Sequence, residues 1–218
     1  NGVNLTTSAT LTYTCSNTST SAQFVNVCFN VGNGAQGGSN ISPRIMTSGA
    51  NALQFQLYAP TASTIWGNAT APTQYIVQLS VPKKTGTVNG TSGPFTVAVQ
   101  GALVIGQTVS PGTYSNAFTG TNTSITLKSN KTSMPATCGT TSSGTFPFTV
   151  NATVIKSCTV TANSNINLGS VSSTAVNTSS SNTISVACTR TTPYYVGLLP
   201  SAANGGTAKT GHVHASRT

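Results

Sequence analysis

The sequence predicts an all-β chain built as two β-sandwich domains, the second of them incomplete. Three observations carry that prediction. Short apolar runs with a period of two recur along the 218 residues, separated by Gly, Pro and Asn, which is the pattern of half-buried strands joined by turns. Thr, Val, Ile, Tyr and Phe are plentiful, whereas the long helix formers Glu, Lys, Gln, Arg and Met are scarce, and that balance favours strands. Two stretches far apart in the chain resemble each other, as a duplicated domain would make them. The length suffices for one large β domain or two ordinary ones.

Taken in order, Ala9–Cys15 alternates Leu11, Tyr13 and Cys15 and reads as a strand, followed by the polar turn Ser16–Ala22. Phe24–Val31 is a second strand. The sequence Gly-Asn-Gly-Ala-Gln-Gly at 32–37 formally matches GxGxxG but runs on to Pro43 without an amphipathic helix. A dinucleotide site needs that helix N-terminus for the pyrophosphate, so this is read as a loop. Leu53, Phe55 and Leu57 mark a third strand, Tyr58–Pro72 a loop holding the only tryptophan, Trp66, and Tyr75–Val81 a fourth strand stopped by Pro82. Phe95–Val99 starts a fifth, with the apolar run Ala102–Gly106 behind it. Pro111–Tyr114 is a turn, and Ala117–Leu127 a further strand. From Phe146, apolar residues occupy every second place through Phe148, Val150, Ala152 and Val154. The alternation lapses at Lys156 and resumes with Cys158, Val160 and Ala162. The lapse predicts a joint between two units, and the domains are set at 1–147 and 148–218.

Composition excludes several functions. The chain has nine Lys and Arg, no Asp or Glu, and a formal charge of +9. Without carboxylates there is no acid–base pair, no Ser-His-Asp triad and no hard-metal cage. No G-x-S-x-G elbow occurs either, so the chain is read as non-enzymatic and without a cofactor. The basic residues stand singly or in the one pair Lys83-Lys84, which is not the clustered footprint of a nucleic-acid binder. His212 and His214 could share one face of a strand, but two ligands do not make a metal site.

Five cysteines stand in a β-rich chain with no CxxC pair, which favours disulfides and an extracytoplasmic address over zinc. Leu11-Thr-Tyr-Thr-Cys15 resembles Ile184-Ser-Val-Ala-Cys188, and Phe24–Gly32 resembles the stretch from Tyr194. Cys158 lies 30 residues before Cys188 (188 − 158 = 30). Its counterpart in the first copy would fall upstream of residue 1. Cys158–Cys188 is therefore the expected pair, Cys28–Cys138 follows by elimination, and Cys15 lacks a partner within the sequence.

Several segments together resemble one family. They are Leu11–Cys15, Ser48–Tyr58 with Ile65-Trp66-Gly67, Gly101–Gln107, Pro111–Asn116, Phe148–Val154 and Ser157–Val160 with Ile166–Gly169. The family is the secreted spore-coat-protein-U domain, used in archaic chaperone–usher pili of the Csu type. Two copies in tandem resemble the tip adhesin more than the one-domain shaft pilin. The resemblance implies immunoglobulin-like domains lacking one strand, with an open groove. A periplasmic chaperone fills that groove first, and the next subunit's N-terminal strand fills it after passage through the outer-membrane usher. Phe148, Val150, Ala152 and Val154 have the pattern of such a donor strand, either completing the first domain in cis or opening the second. The implied address is the extracellular pilus, reached through the periplasm, and the implied partners are neighbouring pilins and an abiotic or host surface. Ala35, Trp66, Leu103, Val104 and Ile105 are candidates for adhesive contact, being apolar residues in loops, although a lone tryptophan in a sandwich is more often part of the core. The alternative is a secreted, self-assembling coat protein without an adhesive role. The family usually has an acid where Asn116 stands here, and Gly211–Thr218 does not resemble its continuation.

Overall fold

The computed structural model describes residues 5–36, 41–60, 64–68, 74–164, 170 and 181–196, and the backbone of 213–215. The chain divides into two compact units. The first comprises Asn1–Gln107 and Thr113–Ala152, and the second Thr108–Gly112 and Thr153–Thr218.

Ten strands lie wholly or for the most part in the first unit. They are β1 (Thr6–Asn17), β2 (Gln23–Val31), β3 (Arg44–Ser48), β4 (Asn51–Tyr58), β5 (Tyr75–Val81), β6 (Gly90–Leu103), β7 (Gly112–Phe118), β8 (Thr123–Asn130), β9 (Ser142–Thr145) and β10 (Phe148–Val154). They form a six-stranded sheet in the order β1-β6-β4-β3-β7-β10 and a four-stranded sheet in the order β5-β2-β8-β9. Alternation sets the faces, because a strand turns successive side chains to opposite sides. Leu53, Phe55, Val97, Val99, Tyr114 and Phe118 of the larger sheet are buried, as are Val25, Val27, Phe29, Val31, Leu79 and Val81 of the smaller one. The two layers meet through aromatic edges, with Tyr13 of β1 lying 5.1 Å from Phe29 of β2 at 67°, a favoured T-shaped geometry.

β2 is buried along Val25–Val31, on both faces. Its outer face is covered by the segment that follows β8. Cys28 is bonded to Cys138, and Asn26 Nδ2 donates to the carbonyls of Pro135 (2.7 Å) and Thr137 (3.1 Å). Buried polar side chains are tolerated where they are hydrogen-bonded in this way, so the strand can keep Asn26 inside, and with it Asn30, whose Nδ2 donates to the carbonyls of Cys28 (3.3 Å) and Ser124 (3.2 Å).

Three sequence expectations are corrected here. Phe95–Val99 and the first residues of the run after it, to Leu103, belong to one continuous strand, β6. The expected single strand Ala117–Leu127 is two, β7 and β8, belonging to different sheets and joined by a 3-10 turn at Gly120–Asn122. Gly120 has φ +57°, a left-handed value that glycine takes without steric penalty, and it lets the chain cross between layers. The Pro111–Tyr114 turn gives way to strand at Gly112. β3 and β9 were not anticipated.

In the second unit β11 (Cys158–Ala162) pairs antiparallel with β12 (Ile184–Cys188), and β13 (Tyr194–Val196) with β14 (Val213–Ala215). Cys158 stands directly opposite Cys188 and is bonded to it. Thr189 fastens the open end, its N–H donating to Ser157 O at 2.8 Å.

Candidate functional site

The alternating run at the joint becomes β10, the edge strand beside β7. Phe148, Val150, Ala152 and Val154 are half-buried, while Thr149, Asn151 and Thr153 are exposed, so one face is turned inward as the period-two pattern requires. Phe148 stacks on Phe118 with ring centroids 4.7 Å apart and an interplanar angle of 9°. Phe146 is buried, stacked on Trp66 at 6.1 Å and edge-on to Phe29 at 5.8 Å. These aromatic contacts tie the run to the first unit, which extends to Ala152, whereas the sequence placed the division after residue 147.

The second unit shows the opposite condition. Along β11 every residue is exposed. Val160 is 65% exposed, Ile184 42% and Ile155, just before β11, 69%. A two-stranded ladder has no layer of its own against which to bury such side chains.

The residues proposed from sequence as adhesive fare differently. Ala35 is exposed, with its N–H held by Ala117 O at 2.8 Å. Leu103 and Val104 are half-buried, and Ile105 is 62% exposed. These three line one side of an open cleft of about 730 Å³ together with Thr6, Gln56 and Tyr58, and Ala35 is not part of it. Trp66 is corrected. It is fully buried, its indole N–H donating to Phe29 O at 2.9 Å and its ring edge-on to Tyr75. It is a core residue and cannot touch a surface.

Arg44 was missed. It is fully buried at the start of β3 and donates to four acceptors: Gly32 O (2.7 Å), Gln56 Oε1 (2.6 Å), Val31 O (3.1 Å) and Trp66 O. With no carboxylate in the chain, main-chain carbonyls take the place of a counter-ion. Burial pulls its pKa down to about 10, so it remains charged at neutral pH. The only trace of it in the sequence is a lone Arg before Ile-Met, which gives no hint of burial.

Asn116 is also fully buried. Its Nδ2 donates to Asn33 O (2.9 Å) and Ile45 O (2.8 Å), and its Oδ1 accepts from Gln36 N (3.2 Å). A carboxylate could not make the two donations, so an amide suits this site. The GxGxxG match is part of the same packing. Gly34 N donates to Asn122 Oδ1, and a Cβ on Gly34 would fall 2.2 Å from Asn116 Oδ1. The glycine is needed there for close approach and for φ +77°, and no phosphate site results.

Cys15 carries a free thiol. No group of three or more metal-binding side chains occurs among the described residues. His212 lies outside them, as does the side chain of His214.

A search of curated proteins finds none that matches. Among solved structures, the chain is similar to one in the crystal structure of the CsuC–CsuE chaperone–tip adhesion subunit pre-assembly complex from archaic chaperone–usher Csu pili of Acinetobacter baumannii. The identity is 13% and the TM-score 0.40, over 88% of this chain and 64% of the matched one. A likeness of that size gives no residue-by-residue correspondence. The model of the Spore Coat Protein U domain matches residues 1–121 and again 144–216, most of the sequence in two segments, and the chain belongs to that family.

Proposed function

We propose that the protein is a two-domain structural and adhesive subunit of a bacterial surface pilus. It is made through a periplasmic chaperone and an outer-membrane usher, displayed outside the cell, and joined to its neighbours by strand donation. It is not an enzyme. The first domain is completed in cis by β10, and the second takes a strand from another molecule. One observation carries this reading: the first unit uses the alternating strand as its edge, while Val160, Ile184 and Ile155 of the second lie exposed. Covering side chains of this size is worth on the order of 1.5–3 kcal/mol each. That is enough to make a partner strand decisive for a domain of ordinary stability.

The test is a synthetic peptide with the sequence Pro147–Ile155 added to the protein. The reading expects one peptide to be taken up per chain, with new amide protection confined to the second unit, and no uptake of a scrambled peptide. Equal uptake of both, or a second unit already protected and cooperative by itself, would sink it.

At the tip such a subunit would promote surface attachment and biofilm formation. Ile105, with its neighbours Leu103 and Val104, is the apolar loop that supports this. Replacing the three by serine is expected to weaken adsorption to polystyrene, and unchanged adsorption would remove that loop from adhesion. Filaments formed from the protein alone, without chaperone or usher, would favour a self-assembling coat protein.

A further inference from the structure

The cleft beside the Leu103–Ile105 loop has its floor on the larger sheet. In register, Thr6 of β1 stands opposite Ala102 of β6, and Ala102 opposite Gln56 of β4. Two residues along, Ser8 stands opposite Gln100, and Gln100 opposite Tyr58. All six line the cleft of about 730 Å³, a size within the range of roughly 300–1,000 Å³ usual for small-molecule sites. Ala102 at the centre of its row keeps the floor low. The loop wall is held in place by Gln107, whose side chain acts as a strand partner for Gln54. Its Nε2 donates to Gln54 O at 2.8 Å, its Oε1 accepts from Gln54 N at 2.6 Å, and Val104 N donates to Gln54 O at 3.1 Å.

Gln56 is 5% exposed. Arg44 Nη1 and Leu57 N both donate to its Oε1, at 2.6 Å and 3.0 Å. A guanidinium offers only donors, so the orientation of the amide is fixed and its Nε2 is the end left over. Among the described residues that Nε2 finds no acceptor, and it is not sealed from solvent. The neighbouring cation polarises the amide and strengthens Nε2 as a donor. Gln100 supplies the complement. Its Nε2 donates to Pro60 O at 3.3 Å, which leaves its Oε1 to accept. The hydroxyls of Thr6, Ser8 and Tyr58 can do either. No charged side chain lines the cleft, and the guanidinium of Arg44 is directed at four protein acceptors, so nothing there holds a phosphate or a carboxylate.

We propose that this cleft binds a neutral carbohydrate, a short oligosaccharide with one hydroxyl accepting from Gln56 Nε2 and another donating to Gln100 Oε1. The C–H face of a sugar ring lies against Tyr58 and the apolar wall of Val104 and Ile105. A sugar hydroxyl is donor and acceptor at once and so matches both amides. A hydrocarbon would leave them unpaired, and an anion would meet no cation. The site belongs to the first unit alone and stands whether or not the chain is built into a pilus.

The experiment titrates the full, isotope-labelled chain with maltotriose, cellotriose and triacetylchitotriose at millimolar concentrations, and follows the glutamine side-chain amide signals by NMR. A heparin-derived oligosaccharide is the anionic comparison. At least one neutral sugar should shift the Gln56 and Gln100 signals saturably. Gln56→Glu keeps an oxygen for Arg44 and removes the donor, while Ala102→Leu fills the floor without touching the Arg44 network. Each should weaken binding by about tenfold or more, the worth of one hydrogen bond. Gln56→Glu should leave adsorption to polystyrene unchanged, so the sugar site and the adhesive loop fail separately. Absence of a saturable shift with all the neutral sugars would overturn the proposal. So would an equal response to the heparin oligosaccharide, which would point to the scattered lysines, or undiminished binding in both variants.

Discussion

Replacing Arg44 by methionine tests whether the end of the first sandwich is held by one guanidinium. The substitution keeps a long apolar stem and deletes every donor. Four acceptors then lose their partner: the carbonyls of Val31, Gly32 and Trp66, and Gln56 Oε1. A hydrogen bond to a charged group is worth about 1.5–3 kcal/mol, and a buried acceptor left unpaired costs about 1–3 kcal/mol. Four such terms would exceed 4 kcal/mol. Against them stands the removal of a buried charge whose desolvation was itself unfavourable, and Gln56 can turn its amide to Leu57 N, which it already accepts from at 3.0 Å. The net expectation is a loss of about 3–5 kcal/mol, the unpaired acceptors outweighing the relief of desolvation. The assay is urea unfolding followed by fluorescence of Trp66, the only tryptophan, whose own carbonyl is one of the four acceptors. Arg44→Lys should recover part of the loss, since an ammonium offers three donors but not a planar fork. A loss below about 1 kcal/mol for Arg44→Met, or full recovery with lysine, would refute the claim that the fork geometry holds these strands and the Trp66 segment together.

Asn116→Asp should destabilise at neutral pH by about 1–3 kcal/mol for each of the two donations lost. Burial raises a carboxyl's pKa, so its penalty should shrink as pH falls below that raised value, and thermal unfolding at pH 7 and pH 4 checks both. Selective reduction of Cys28–Cys138, which closes a loop with a sequence separation of 110, should cost about 4–5 kcal/mol by the chain-entropy relation, measured by calorimetry with and without reductant. Tyr13, pushed up to about 12 mainly by burial and secondarily by Cys15 and Tyr75, should be among the last phenols to ionise. Its folded pKa lies above the unfolded value, so the folded state keeps a proton that the unfolded state loses, and stability should fall as pH rises from 10 towards 12. Absorbance at 295 nm for the protein and Tyr13→Phe would show it. Phe148→Ala, which removes the stack on Phe118, should cost about 1–3 kcal/mol for a half-buried ring and speed hydrogen exchange along β10.

Period two was legible wherever one face of a strand is dry and the other wet. Tyr75–Val81 reads directly as β5, and Phe148–Val154 as β10. The signal failed where the environment is not two-sided. β2 has polar Asn26 inside because the Pro135–Cys138 segment covers its outer face there. β3 opens on a buried cation, and nothing local announces that carbonyls from the neighbouring loop will surround it. Ala117–Leu127 looked continuous because both halves alternate, yet Gly120 sends them into different sheets. The candidate site divides along the same line. Alternation states that one face wants cover and is silent on who provides it. Phe148 finds cover on Phe118 in its own chain, while Val160, with the same kind of pattern, finds none in β12. Trp66 read two ways for the converse reason: a Gly- and Thr-rich neighbourhood suggests a surface loop and a lone tryptophan suggests the core, and Arg44, Phe29 and Phe146 draw the indole inside. What separates the two alternating runs is therefore that one is satisfied and one is not, and that difference exists only once long-range contacts have formed.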